Sequence, residues 1–101
     1  MPPPKYAIPT DRVRWEIIQE NAVITNVETL YSYRLNLTGT LVWTQLLERP
    51  RTLEELTQIV VAQFEREPAA ARADLSAFLN HMLAEGLIIE LTDRFRPRAN
   101  L

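Results

Sequence analysis

The groups in this chain that could do chemistry are few and far apart. Asp74 and Glu85 are the carboxylates that invite a catalytic reading, because paired carboxylates can share acid and base roles. They stand eleven residues apart in one helical stretch. At 1.5 Å per residue that is about 16 Å, too far for one reaction centre. Asp74 reads instead as a polar residue at the side of a binding surface. The single histidine, His81, has no nucleophile or carboxylate spaced to form a triad with it and reads as a solvated helix residue. There is no cysteine, so no thiolate nucleophile, disulfide framework or thiolate metal site. With two glycines in all, no glycine-rich phosphate loop is present. These residues predict a protein that is not an enzyme and holds no cofactor or metal.

Composition narrows the remaining classes. The chain has 101 residues, the size of one domain with its own core. Its formal net charge is −2, and a phosphate-gripping domain carries a basic face. No apolar run approaches the roughly 20 residues needed to cross a bilayer. Met1-Pro2-Pro3-Pro4-Lys5 lacks the apolar centre of a signal peptide. A cytoplasmic location is the expectation.

The most informative segment runs from Leu30 to Trp43. Tyr31, Tyr33 and Leu35 alternate with Leu30, Ser32 and Arg34, a period of two that predicts a strand. Asn36 then offers an oxygen to the first amides of a helix, and Leu37, Leu41, Val42 and Leu46 take up helical spacing. A strand bearing two tyrosines and few charges is a candidate binding edge.

The rest of the chain supplies elements around that edge. Four of the seven prolines fall within residues 1–11, which predicts an extended arm laid along the domain through Tyr6 and Ile8. Val13, Trp15 and Ile17 alternate with charges, as in a half-buried strand. Glu20-Asn21 reads as a turn, Ala22–Val27 as a second strand, and Leu30–Leu35 as a third. Together they predict an antiparallel meander. Trp15 and Trp43 are expected in the core. Three helices follow. One spans Leu37–Leu47; one opens on the capping box Thr52-Leu53-Glu54-Glu55; one runs from Pro68 to a Gly86 cap. Leu87–Leu91 reads as a short strand, Thr92-Asp93 as a turn, and residues 92–101 as a basic flexible tail. The predicted fold is α+β: a winged helix-turn-helix with an N-terminal three-stranded antiparallel β-sheet followed by three α-helices, with residues 12–91 as the domain.

Several fragments carry a family resemblance. They are Tyr31-Ser32-Tyr33-Arg34-Leu35-Asn36, Thr38-Gly39 with Trp43, Arg51-Thr52-Leu53-Glu54-Glu55-Leu56, Asp74-Leu75 with Phe78-Leu79, and Glu85-Gly86-Leu87-Ile88. In this order and spacing the chain resembles the PqqD-like family, also called the RiPP recognition element, where RiPP denotes a ribosomally made and later modified peptide. The resemblance covers about Ile8 to Leu91. It implies the fold above and a function: binding the leader segment of a precursor peptide and presenting it to a separate enzyme. Such proteins take the leader as an added strand. Carried onto this chain, the docking edge is Thr29, Leu30, Tyr31, Ser32, Tyr33, Arg34 and Leu35, and the groove wall is Leu75, Phe78, Leu79 and Met82. Asp74 lies beside that groove, able to pair with a basic leader residue.

Members from pyrroloquinoline quinone synthesis usually carry proline-glutamate after the second strand and arginine-glycine-tryptophan after the third helix. Here those places read Asn26-Val27-Glu28 and Glu85-Gly86-Leu87. The aromatic strand, Leu35-Asn36, Gly39 and Trp43 are similar to standalone leader-binding subunits of lasso-peptide pathways, whose partner is a leader peptidase. Two alternatives stay open: a winged-helix nucleic-acid-binding regulator, and a peptide chaperone for a radical-enzyme pathway such as pyrroloquinoline quinone synthesis. Against the first, the third helix carries Arg72 as its one strong base beside Asp74 and Glu85.

Overall fold

The computed structural model describes residues 2–91. The fold is α+β, and its first sheet begins with a hairpin. β2 (Val13–Ile18) turns into β3 (Asn21–Asn26) through Gln19 and Glu20 alone. Both loop residues have positive φ, 51° and 73°, the left-handed pair whose twist suits a two-residue hairpin. The pairing runs from Val13↔Asn26 to Ile18↔Asn21. β3 then pairs antiparallel with β4 (Ser32–Arg34) through Val23↔Arg34, Ile24↔Tyr33 and Thr25↔Ser32. The sheet order is β2-β3-β4, as the meander reading expects.

Three helices follow. α1 (Leu37–Glu48) starts where the Asn36 side chain accepts the Gly39 N–H at 2.8 Å. α2 (Leu53–Phe64) starts on the capping box: Glu55 N–H donates to Thr52 Oγ1 at 3.1 Å, and Thr52 N–H donates to Glu55 Oε1 at 2.8 Å. α3 (Pro68–Ala84) has proline in its first turn, and the Glu67 carboxylate caps the amides of Ala69 and Ala70. Those amide bonds hold the Glu67 carboxyl below its ordinary range. α1 packs on β3, α3 runs beside β4, and α2 packs on α1 and α3. The core joins Val13, Ala22 and Ile24 from the sheet to Val42, Trp43 and Leu46 of α1, Leu56 and Val60 of α2, and Ala71, Leu75, Leu79 and Met82 of α3. Each large apolar side chain so buried contributes about 1.5–3 kcal/mol relative to exposure.

A second sheet lies outside that meander. β1 (Lys5–Ala7) is its middle strand, with β5 (Arg51–Thr52) on one side and β6 (Ile89–Leu91) on the other, all antiparallel. Part of the proline-rich arm is thus a paired strand, and Tyr6 belongs to the core. Burial, with Glu90 beside it, raises the Tyr6 hydroxyl pKa. Arg51 is buried yet satisfied: its Nε donates to Gln45 C=O at 3.0 Å and its Nη2 to Glu48 Oε1 at 2.8 Å. No helix among the described residues is long and apolar enough to cross a membrane. The predicted Thr92-Asp93 turn and the tail 92–101 lie outside the described residues.

Two strand readings need correction. In β2 only Val13 is buried; Trp15 and Ile17 are 39% and 51% exposed. Trp43 sits in the core with no exposure, whereas Trp15 only meets its ring edge-on, centroids 6.0 Å apart. Helix cover ends there, so the alternation along β2 outlasts the burial it usually reports. The third strand is also shorter than Leu30–Leu35. Leu30 has φ 66°, a left-handed backbone that ends strand geometry on that side.

Candidate functional site

The site is assembled around β4, and Asn26 sets where β4 begins. Asn26 is buried. Its Oδ1 accepts the amides of Glu28 at 2.8 Å and Thr29 at 3.2 Å, and its backbone C=O accepts Leu30 N–H at 2.7 Å. A side-chain oxygen closing its own turn in this way is what asparagine does well. The Asn26 Nδ2 reaches across to donate to Glu85 C=O at 3.0 Å, at the end of α3. A second tie is parallel to it: the Tyr33 hydroxyl donates to Glu85 Oε1. That bond pushes the Tyr33 hydroxyl pKa up to about 12, with desolvation adding to it. One residue at the C-cap of α3 therefore holds both the turn before β4 and the middle of β4. Gly86, which follows at φ 74°, permits this approach; a Cβ there would lie 3.0 Å from Asn26 Nδ2.

The ladder fixes which backbone groups of β4 are spoken for. Asn26 N–H donates to Tyr31 C=O at 3.0 Å and Leu35 N–H to Ala22 C=O at 2.8 Å. In an antiparallel pair, facing groups alternate residue by residue. Tyr31, Tyr33 and Leu35 thus face β3. Ser32 and Arg34 turn their N–H and C=O groups to the far side, where no strand lies among the described residues.

Beside this open edge runs a divided groove. One cleft, of about 230 Å³, lies between β4 and α3, with Tyr33, Leu35, Phe78, His81 and Met82 among its lining. The other, of about 340 Å³, lies between the start of α1 and the first half of α3, with Gly39, Val60, Arg66, Asp74, Leu75 and Phe78 among its lining. Asn36 and Phe78 belong to both and together form the partition between them. Gly39 lets α1 come close: a Cβ there would lie 3.2 Å from Phe78 Cζ and 3.3 Å from Leu35 Cβ.

The expected site residues divide accordingly. Ser32, Tyr33 and Arg34 form the strand. Thr29 lies in the turn, where its Oγ1 accepts Tyr31 N–H at 3.3 Å. Leu30 and Tyr31 are 75% and 66% exposed, beyond the strand's start. Leu35 is buried at the groove floor. On α3, Leu75, Phe78 and Met82 line a cleft. Leu79 lines neither; it is 1% exposed and belongs to the core. Asp74 is exposed and already paired, its Oδ2 2.5 Å from Arg66 Nη2. His81 is exposed on α3 but lines the cleft and meets the Tyr33 ring edge-on at 6.5 Å. The sequence reading missed His81, Glu85, Asn26 and Gly39 as site residues. A signal existed for the first two: Asp74, Phe78, His81 and Glu85 fall at helical spacings of 4, 3 and 4, one stripe along α3.

Comparison with known proteins then places the chain. The family described as coenzyme PQQ synthesis protein D (PqqD) matches residues 21–88. The chain belongs to the PqqD family. That match spans β3 through Ile88 and so contains both β4 and α3. A solved structure, "TbiB1 in Complex with the TbiA(beta) Leader Peptide", has the same fold at a TM-score of 0.77, covering 86% of this chain and 99% of its own at 23% identity. No curated protein matches the sequence. The PqqD assignment leaves β1, β2 and β6 as elements outside the matched stretch.

Proposed function

We propose that this PqqD-family chain binds the leader segment of a ribosomally made precursor peptide by strand addition on β4 and presents it to a separate enzyme. The observation that carries the reading is the open backbone edge of Ser32 and Arg34 lying directly beside the groove floored by Leu35, Phe78 and Met82. A backbone edge gives affinity and an adjacent pocket gives selection, which together are the parts of β-augmentation. The two residues offer four backbone groups, about 2–6 kcal/mol net at 0.5–1.5 kcal/mol per bond. Selection then falls to apolar leader side chains entering the clefts on either side of Phe78. That TbiB1 was solved with a leader peptide supports the reading.

The partner we favour is the leader peptidase of a lasso-peptide pathway, from the sequence likeness at Tyr31–Asn36, Gly39 and Trp43. The domain itself leaves the precursor covalently unchanged, and its setting is cytoplasmic. Asp74 and Glu85 are each engaged within the chain, by Arg66 and Tyr33. Tethering raises the core peptide's local concentration at the enzyme. An affinity of about 1 μM to 10 nM, some −8 to −11 kcal/mol, holds the leader and still releases it.

The test combines amide exchange with an omission experiment. Leader peptide should slow exchange at Ser32 and Arg34, whose amides face outward, while Tyr33 is already protected. Protection elsewhere with none at these two sinks the docking mode. Precursor and peptidase are then incubated with and without the chain and followed by mass spectrometry. Equal processing without it, or a mass change caused by the chain alone, overturns the presenting role.

A further inference from the structure

The outer edge of β2 is open too, and it is longer than that of β4. The sheet ends at β2 among the described residues. The hairpin fixes which groups face outward. Val27 N–H donates to Arg12 C=O at 3.0 Å, and Ile18↔Asn21 closes the two-residue loop. Hydrogen-bonded pairs therefore fall at Arg14↔Thr25 and Glu16↔Val23, and the N–H and C=O of Trp15 and Ile17 point away from β3. The side chains are exposed as well: Trp15 39%, Ile17 51% and Ile18 40%. A long apolar edge is ordinarily blunted by proline, like charges or a cover. Here the charges are Arg14 and Glu16, of opposite sign.

That arrangement makes the edge complementary to itself. In Val13-Arg14-Trp15-Glu16-Ile17, apolar residues are symmetric about Trp15 and the two charges are antisymmetric. Lay a second copy antiparallel with the two Trp15 residues opposed. Arg14 then faces the second copy's Glu16, Glu16 faces its Arg14, and Val13 faces its Ile17. In this register Trp15 bonds to the second copy's Trp15 and Ile17 to its Val13, whose C=O accepts the Arg14 Nη1 at 3.0 Å within one chain, a bond Arg14 exchanges for Glu16 of the second copy. Slipping by two residues one way sets Glu16 against Glu16; slipping the other way sets Arg14 against Arg14. Like charges directly opposite are unfavourable in a sheet, so the pattern selects one register from three. We infer that β2 pairs with β2 of a second copy in that register. The product is a two-fold dimer whose continuous sheet runs β4-β3-β2-β2-β3-β4, with an isologous interface. Both β4 edges stay at its outer ends, so the inference does not depend on leader binding.

Sedimentation of the full chain from about 5 μM to 500 μM, a range bracketing an ordinary dimer affinity, reads the state directly. The mass should rise from 11.7 kDa toward twice that value. Glu16→Arg sets arginine against arginine at both ends and should weaken association about tenfold or more. Adding Arg14→Glu to it restores opposite charges and should restore the dimer. Ile17→Pro removes one outward amide, leaves the bonds to β3, and should give a monomer. Its leader affinity and circular dichroism should match the parent. A monomer throughout the range overturns the inference. So does a dimer that Glu16→Arg and Ile17→Pro leave unchanged, or a charge-swapped variant as weak as Glu16→Arg.

Discussion

The two edges of the β2-β3-β4 sheet present the same kind of backbone and differ in what lies beside them. β4 is three residues long, turns two of them outward, and runs along α3 with clefts on both sides of Phe78. β2 is six residues long, carries three exposed large apolar side chains, and beyond the buried Val13 meets the helices through Trp15 against Trp43. A bare edge can bind any extended chain. The β4 edge gains its information from a floor that sorts the incoming side chains. Among the described residues no comparable cleft lies beside the β2 edge, and what information it holds is written in its own charges. Length of open strand is therefore a poor guide to a ligand site, and the neighbouring helix a better one.

That contrast can be broken first at Phe78. Phe78→Asp places a charge on the partition between the clefts, a half-buried position, and should weaken leader binding by about 100-fold or more. Ile17→Asp, the matching change on β2, should leave leader titration calorimetry unchanged. Leu79→Asp is not an equivalent probe. It buries a charge in the core and should cost more than about 4 kcal/mol in urea unfolding. A folded Leu79→Asp protein of parental stability would overturn the core assignment.

Asn26→Ala comes next. It leaves two turn amides and the Glu85 carbonyl without their partner, so unfolding should cost about 2–4 kcal/mol less. Leader affinity should fall with it, because the turn that presents β4 is lost. A smaller effect is expected from Arg34→Pro, which removes one outward amide and spares the β3 ladder. Leader affinity should drop about tenfold, whereas Ile17→Pro should not move it. Equal losses from both prolines would dissolve the distinction between the edges.

The smallest effect belongs to Tyr33→Phe, read by thermal melting against pH. The folded hydroxyl titrates at about 12 rather than its ordinary 10.0. A raised folded pKa stabilises below the unfolded value and loses that contribution as pH climbs through the folded one. The parent should therefore melt above the variant up to pH 10. The gap should close between pH 10 and about 12.

Much of this architecture could be read from local residues. Asn36, the Thr52–Glu55 box, Pro68 and Gly86 each act within a few positions of themselves, and each marks a boundary the structure keeps. The β1-β5-β6 sheet could not be read that way. It joins Lys5 to Thr52 and Leu91, three short strands with no periodicity of their own. The site was legible to the same extent. Tyr33 stood out by type and spacing, and Phe78 and Met82 through the family resemblance. Glu85 did not, because its importance comes from Asn26, which lies 59 positions away. Trp15 and Ile17 misled for the opposite reason: their alternation is that of a buried face, but α1 touches it only through Trp43 against Trp15 and leaves both residues exposed.

Glu85 carries one more consequence. It fastens the β3–β4 turn and the middle of β4 to the same end of α3, so the spacing of the groove walls is set by residues that stand apart from its floor. Side chains at Phe78 or His81 can then be exchanged without altering the distance between the walls. A lineage can drift from one cognate peptide to another through single substitutions, each passing through a folded, edge-competent intermediate. The clamp separates evolvability of recognition from the integrity of the frame.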